Sequence, residues 1–133
     1  METKRKKITV TKGEALEIFG ALQLLSQQNI KAWYPISRNI QRLKPFIKEL
    51  DEDKLIIQEK FGEKDEQGRL KYIDPQKRMI DITIENRIEL DKLWEDLKTE
   101  EISVEIYQIK VEELPELLNP HIAGPLLDII IID

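Results

Sequence analysis

The residue types that most often perform catalysis or bind metals are scarce in this sequence. It contains no cysteine, and His121 is its single histidine. Thiol catalysis and disulfides are therefore excluded by composition, and a zinc site of the usual Cys and His type has too few ligands. A lone histidine that follows a proline is more typical of a polar loop residue than of a general base, so we interpret His121 as structural. We predict no catalytic residue, no metal and no cofactor.

The 26 acidic residues are the other groups that could do chemistry. The acid-rich segments ELDEDKL (residues 49–55) and GEKDEQG (residues 62–68) lack the alternating oxygen ligands and the final glutamate of a calcium loop. Acids and bases alternate at helical spacings of three and four, so we interpret these segments as a solvated helix face and a turn. A hydrolase made of two carboxylates that meet in the fold stays open as an alternative, although no nucleotide-binding or nucleophile-elbow motif occurs.

A basic stretch opens the chain and could contact phosphate groups. Residues 1–7 (METKRKK) carry four cations, within a chain of net charge -5 in which 35% of residues are charged. Cations of this kind bind nucleic-acid backbones in a salt-dependent manner, so a nucleic-acid partner is one interpretation. A solubilising arm is the alternative, because the sequence suggests no basic surface with interleaved aromatic residues. The candidate phosphate contacts are Lys4, Arg5, Lys6 and Lys7.

The first elements that must position these groups are a strand and a helix. The β-branched segment KKITV predicts a strand. Thr11 and Glu14 then match a capping box, which predicts a helix over residues 13–27. Its apolar stripe is formed by Leu16, Phe19, Leu22 and Leu25, with Ala15 and Ile18 beside it. A connection follows and reaches Pro35.

A long helix is predicted next, because apolar residues recur at alternating spacings of four and three. This seam consists of Ile36, Ile40, Leu43, Ile47, Leu50, Ile57 and Phe61, with Lys54 as a charged interruption. Leu55 and Ile56 widen the apolar face, so we expect the second half to be more enclosed than the first. Pro45 predicts a kink, and we favour one bent helix over two helices because the spacing continues through Pro45.

The remaining segments predict an α+β fold. Residues 70–73 and the alternating Ile80, Ile82 and Ile84 indicate a hairpin, and Leu90, Leu93, Trp94 and Leu97 mark one side of a further helix. Alternation at Ile102, Val104 and Ile106 indicates a strand, and prolines break the tail over residues 115–133. We predict a single domain over residues 1–133, in which a helical hairpin with one long kinked helix packs beside a small, mainly antiparallel sheet.

Two apolar segments exceed what an ordinary small domain needs and are candidate interfaces. One is the seam, and the other is the terminal run LLDIIIID, whose consecutive isoleucines require cover on both faces. Burial within the monomer is the alternative for each. The candidate interface residues are Ile40, Leu43, Ile47, Leu50, Leu126, Ile129, Ile130, Ile131 and Ile132.

Four stretches also resemble one protein family. KITVTKGEALEIFGALQLLSQQ, YPISRNIQRL, EKFGEKDEQGRLKY and LKTEEISVEIYQIKVEELP occur in this order over about residues 7 to 118. Together they resemble a family of small phage-encoded proteins of unknown function. The resemblance implies a phage protein and carries over no catalytic residue.

These observations lead to a hypothesis about function. We expect a non-enzymatic phage protein that acts by protein–protein contact, as a small multi-copy structural or assembly component of the virion, binding copies of itself or other phage proteins. The alternative is a phage regulator or inhibitor that binds a host protein or nucleic acid. No apolar run reaches the roughly 18–20 residues of a membrane span, and no signal-peptide pattern is present. We therefore expect the protein in the virion or the host cytoplasm.

Overall fold

The computed structural model describes residues 5–28, 31–74, 76, 79–115, 120–126 and 131–132. Within them the helices are α1 (Lys12–Ser26), α2 (Trp33–Phe61), α3 (Ile84–Lys98) and α4 (Pro120–Leu126). The strands are β1 (Arg5–Thr11), β2 (Tyr72–Asp74), β3 (Met79–Ile80), β4 (Glu101–Tyr107), β5 (Ile109–Lys110) and β6 (Ile131–Ile132). The predicted α+β class is confirmed. The chain divides into two compact units, unit 1 (Met1–Lys48 and Glu100–Asp133) and unit 2 (Glu49–Thr99).

Strands β1 and β4 form an antiparallel ribbon in unit 1. Their register runs from Arg5 opposite Tyr107 to Thr11 opposite Glu101. Alternate side chains of a strand point to opposite faces, and this ribbon is apolar on one face only. The inner face buries Ile8, Val10, Val104 and Ile106, with Ile102 packed against the same core. The alternation predicted for β4 is therefore confirmed.

Helix α1 starts with the predicted capping box. The Glu14 backbone N–H donates to Thr11 Oγ1 at 3.0 Å, and the Thr11 N–H donates to Glu14 Oε1 at 3.1 Å. The buried face shares Leu22 and Leu25 with the predicted stripe, and it includes the predicted flanking residues Ala15 and Ile18, whereas Leu16 and Phe19 are only half-buried. Steps of three residues fall behind the helical repeat of about 3.6, so a stripe written only in such steps drifts off the buried face. That face consists of Ala15, Ile18, Ala21, Leu22 and Leu25.

The core of unit 1 joins the ribbon to three helices. Ile36 and Leu43 of α2 are fully buried in the same cluster as the α1 residues. Helix α4 packs against α1 and adds Ile122 and Leu126. The first half of the α2 seam is thus part of this unit's own core.

Helix α2 is continuous from Trp33 to Phe61 with Pro45 inside it, which confirms one helix rather than two. Its start differs from the prediction, which had a connection as far as Pro35. Pro35 is instead the third residue of the helix and is buried. The first N–H groups of a helix have no intrahelical acceptor, so proline costs no hydrogen bond there.

The second half of α2 is less enclosed than the sequence predicted. Leu55 and Ile56 are exposed. Each residue turns the helix by about 100°, so these two side chains point away from the direction of Ile57. They widen the apolar surface of the helix without being buried, and that expectation was wrong.

Unit 2 contains the β2–β3 hairpin and α3. Backbone hydrogen bonds of 2.8–2.9 Å join Glu63 to Asp81, Lys71 to Glu63 and Asp81 to Lys71. The predicted second strand is shorter than expected, because Thr83 caps α3 through the Asn86 N–H at 3.2 Å.

The end of α2 depends on Gly62. A Cβ at this position would lie 2.7 Å from both Ile80 Cγ2 and Leu70 Cδ2 and 3.0 Å from the Gln58 carbonyl oxygen. The Gly62 N–H donates to that same carbonyl at 2.8 Å. The hairpin therefore approaches the helix end so closely that glycine is needed there.

Lys54, the charged interruption of the seam, has a structural role in unit 2. Its Nζ lies 4.9 Å from the centroid of the Trp94 ring, and Lys98 Nζ lies 5.8 Å from it. Both cations therefore lie at distances typical of cation–π contacts.

The tail is more regular than predicted. It contains α4, with Pro120 as first residue and Pro125 inside, and the strand β6. Ile131 and Ile132 of β6 pair in parallel with Ile109 and Lys110 of β5. The end of the apolar run is thus paired within the chain.

Candidate interaction surfaces

The seam residues proposed as an interface lie mostly inside the chain. Leu43, Ile47 and Leu50 are buried, and Ile40 is half-buried against the unit 1 core. Burial of this kind leaves little apolar area to present to a partner. The alternative of packing within the chain accounts for these four side chains.

The terminal candidates are distributed differently. Leu126 is fully buried in α4, while Ile131 and Ile132 take part in the β5–β6 pair. Ile129 and Ile130 lie outside the described residues. His121, interpreted as a loop residue, is exposed in the first turn of α4.

The predicted basic arm is part of a strand. Arg5, Lys6 and Lys7 belong to β1 and are exposed, and Lys4 lies outside the described residues. Arg5 sits directly opposite Tyr107 in the ribbon. This pairing places one of the four predicted phosphate contacts in a cluster that the sequence did not suggest.

The centre of that cluster is held by Asn39, whose side chain is completely buried. Its Nδ2 donates to the Tyr107 carbonyl at 2.8 Å, and its Oδ1 accepts from the Tyr107 N–H at 2.6 Å. A buried amide satisfies its own groups and the backbone in this way. The contact fixes α2 against the end of β4 within unit 1.

Three arginines surround the Tyr107 ring. Arg5 Cζ lies 5.5 Å and Arg38 Cζ 6.0 Å from the ring centroid. Arg38 and Arg42 are one helical turn apart on α2, on either side of Asn39, and both interact with the phenol. The Nε of Arg38 is buried and finds no hydrogen-bond acceptor in the described part of the chain.

Two further aromatic residues extend the cluster to the surface. Tyr34 meets Tyr107 edge to face with ring centroids 6.1 Å apart, and Trp33 meets Tyr34 in the same way at 5.8 Å. Trp33 is 64% exposed. We call the set of Arg5, Trp33, Tyr34, Arg38, Arg42 and Tyr107 the arginine–tyrosine cluster.

The positive potential of this cluster acts on the phenol of Tyr107. Hydrogen bonding from Arg38 lowers the pKa of Tyr107 below its ordinary value of 10.0, with smaller contributions from Arg42 and Arg5, while burial opposes them. A cation beside a phenol favours the phenolate form. The same cations would attract any other anion that reached them.

Sequence reasoning missed this cluster and stated that no basic surface interleaves with aromatic residues. Arg38 and Arg42 resemble ordinary cations of a solvated helix face. Tyr107 is far from them along the chain, and it alternates in sequence with the apolar residues Ile102, Val104 and Ile106. The one local signal was Asn39, a polar residue between the seam positions Ile36 and Ile40.

A second surface lies in unit 2, where many large apolar side chains are exposed. Ile84 and Ile88 are 82% and 63% exposed and lie one turn apart on α3. The set, which we call the unit 2 apolar residues, comprises Leu55, Ile56, Tyr72, Ile73, Met79, Ile84, Ile88 and Leu93.

No group of three or more His, Asp or Glu side chains in the described residues is arranged to hold a metal ion. None of the described helices is long and apolar enough to cross a membrane. Comparisons with protein-family models, with curated proteins and with solved structures find no match to this chain.

Proposed function

We propose that this chain is a non-enzymatic phage protein that works by contact with other protein chains, and that several copies associate through the unit 2 apolar residues. The resemblance to small phage-encoded proteins supports the origin. The exposure of Ile84 and Ile88 supports the mode of action, because an adjacent pair of isoleucines in water is costly unless a partner covers it.

The partner that best fits this surface is a second copy of the chain. Symmetric contacts between identical chains require a surface that complements itself. The exposed isoleucines of α3 are interleaved in sequence with charges of both signs, Glu85, Arg87, Glu89, Asp91 and Lys92. A helix face with this mixture can pair with its own copy without like charges opposing each other throughout.

Sedimentation velocity over a range of protein concentrations tests the proposal. We expect the native chain to sediment as more than one copy and the double variant Ile84→Gln/Ile88→Gln to remain a single chain. The expected weakening of association is at least about tenfold, because two buried isoleucines contribute about 1.5–3 kcal/mol each.

A matched control uses exposed apolar residues of unit 1. The variant Leu24→Gln/Val111→Gln removes two side chains that are each 50% exposed and should associate like the native chain. A native chain that stays a single copy at every concentration would contradict self-association. Mass spectrometry of purified phage particles tests the virion location, and absence of the chain from particles would contradict it.

A second candidate function is a regulator or inhibitor that binds a host protein or nucleic acid. The arginine–tyrosine cluster favours this alternative, because cations with exposed aromatic rings are typical of such surfaces. Deleting residues 1–7 is a poor test of it, since Arg5, Lys6 and Lys7 pair with β4. Point substitutions within the cluster separate binding from folding.

A further inference from the structure

The arginine–tyrosine cluster combines two chemistries that one class of ligand uses together. Arg5, Arg38 and Arg42 provide positive charge within reach of a single phenol. Guanidinium groups bind phosphate oxygens through pairs of N–H donors. A phosphate group is therefore the anion whose geometry this set of donors fits.

The neighbouring aromatic rings supply the second chemistry. Trp33 is exposed at the first residue of α2, and its ring is supported edge-on by Tyr34. Bases of single-stranded nucleic acids stack on such rings, while the strand's phosphates follow adjacent cations. An acidic peptide could form ion pairs with the arginines, but its carboxylates offer no ring to stack on the exposed indole of Trp33.

The cluster is also fixed in advance of any ligand. The two buried hydrogen bonds between Asn39 and Tyr107 hold α2 and β4 together at the point where the arginines project. A site held in this way loses little conformational entropy on binding. The buried Nε of Arg38 has no acceptor among the described residues, so the hydrogen-bonding capacity of this guanidinium is not fully used there.

One acid, Glu105, lies close enough to the cluster to compete weakly with another anion for Arg5. Glu105 Oε1 lies 3.7 Å from Arg5 Nη1, and both side chains are about half exposed, at 47% and 54%. An exposed ion pair at this distance is weak and is readily exchanged for another anion. The ion pairs within the described part of the chain involve Arg5, Lys12 and Lys98, and none of them places an acid on Arg38 or Arg42.

We propose that the arginine–tyrosine cluster binds single-stranded nucleic acid, with Arg38 and Arg42 on the phosphate backbone and Trp33 stacked on a base. This goes beyond the self-association proposed for unit 2 and does not depend on it. Variants of Ile84 and Ile88 test that association separately.

Fluorescence anisotropy with a labelled oligothymidylate of about 12 nucleotides, a length within usual site sizes, tests the proposal. The titration is repeated between about 50 mM and about 200 mM salt. We expect the double variant Arg38→Gln/Arg42→Gln to bind at least about tenfold more weakly at low salt. The slope of log affinity against log salt should fall by about 1.4, since each single-strand phosphate contact contributes about 0.7.

The aromatic contribution has a different signature. Trp33→Ala should weaken binding about tenfold and leave the salt slope unchanged, because stacking releases no counterions. Trp33→Phe keeps a ring and should recover most of the affinity. This pair also decides the question if the double arginine variant fails to fold, since Trp33 is largely exposed.

The matched control is Lys44→Gln/Lys48→Gln, which removes two exposed cations of α2 outside the cluster. It should bind within about twofold of the native chain, because each residue turns the helix by about 100°, so Lys44 and Lys48 lie on another side of α2 than Arg42. An equal loss in this control, or no binding by the native chain at low salt, would overturn the proposal.

A labelled polyglutamate peptide of the same charge distinguishes an acidic protein partner. We expect it to bind the native chain at least about tenfold more weakly than the oligonucleotide, because it offers no base to stack. Equal affinity for both probes, together with no effect of Trp33→Ala, would assign the cluster to an acidic protein and refute the nucleic-acid site.

Discussion

Unit 1 and unit 2 differ in how many of their large apolar residues are buried and how many are exposed. Of the buried apolar and aromatic side chains other than proline in the described residues, seventeen belong to unit 1 and three (Leu50, Ile80 and Leu90) to unit 2. Of the twelve large apolar side chains that are exposed there, eight belong to unit 2. Unit 2 is nevertheless the shorter of the two. Apolar side chains that are buried in unit 1 thus have exposed counterparts in unit 2.

This difference separates two kinds of interaction surface. Unit 1 has a substantial core and uses a buried amide, Asn39, to present charged and aromatic groups in a fixed arrangement. Unit 2 has few buried apolar residues and presents isoleucines on α3. A polar site of fixed geometry suits an anionic ligand, whereas exposed apolar side chains suit another protein surface.

The largest effect is expected from core truncation in unit 1. Leu22→Ala should lower the free energy of unfolding by about 4 kcal/mol, and Leu90→Ala in unit 2 by about 2 kcal/mol. A cavity among many packed neighbours cannot collapse as readily as one near few of them.

Urea unfolding followed by tryptophan fluorescence measures both changes. Each unit contains one of the two tryptophans, Trp33 and Trp94, so Trp33→Phe and Trp94→Phe backgrounds report on unit 2 and unit 1 separately. Equal losses in the free energy of unfolding for Leu22→Ala and Leu90→Ala would contradict the difference in core packing between the units.

A smaller effect is expected at the end of α2 in unit 2. Gly62→Ala places a methyl group 2.7 Å from Ile80 and Leu70 atoms and should cost about 1–2 kcal/mol. Gly20→Ala in α1 is the matched control, because no atom other than those of its chain neighbours and of the adjacent helix backbone lies within 4 Å of its added Cβ. That control should stabilise the chain by about 0.5–1 kcal/mol. Thermal unfolding of both variants checks the opposite signs.

The smallest effect is a titration in unit 1. The pKa of Tyr107 is lowered in the folded chain, chiefly by Arg38. The ionised phenol is thus favoured by folding, so its contribution to stability is fully present above the unfolded pKa and is lost as pH falls through the folded pKa.

Tyrosinate absorbance of the native chain, minus that of Tyr107→Phe, gives the titration of this residue. We expect a midpoint below 10.0 in the native chain and a higher midpoint in Arg38→Gln. An unchanged midpoint in Arg38→Gln would show that this guanidinium does not act on the phenol.

Local patterns predicted much of the fold. The capping box of Thr11 and Glu14 and the alternation of β4 depend on residues a few positions apart, so the sequence contains all the information needed to recognise them. The passage of α2 through Pro45 followed from an uninterrupted apolar spacing. These elements were predicted correctly because their sequence signals are local and agree with the contacts that the elements make in the fold.

The cluster could not be predicted, because its contacts join distant parts of the chain. Asn39 and Tyr107 are 68 positions apart, and the register that places Arg5 opposite Tyr107 emerges only when β1 and β4 pair. The exposure of Leu55 and Ile56 was also missed. An apolar residue next to a seam has the same sequence pattern whether or not another element covers it.

The two hydrogen bonds between the Asn39 side chain and the Tyr107 backbone fix the position of α2 relative to β4. A slide of α2 by one residue would move its side chains about 1.5 Å along the axis and turn them by about 100°. Either motion would break both bonds at once, leaving the amide and the Tyr107 backbone unpaired in an apolar interior. These two bonds therefore fix the position of α2 along the ribbon. The spacing between the guanidiniums of Arg38 and Arg42 and the Tyr107 ring is thus set by a carboxamide that is itself completely buried.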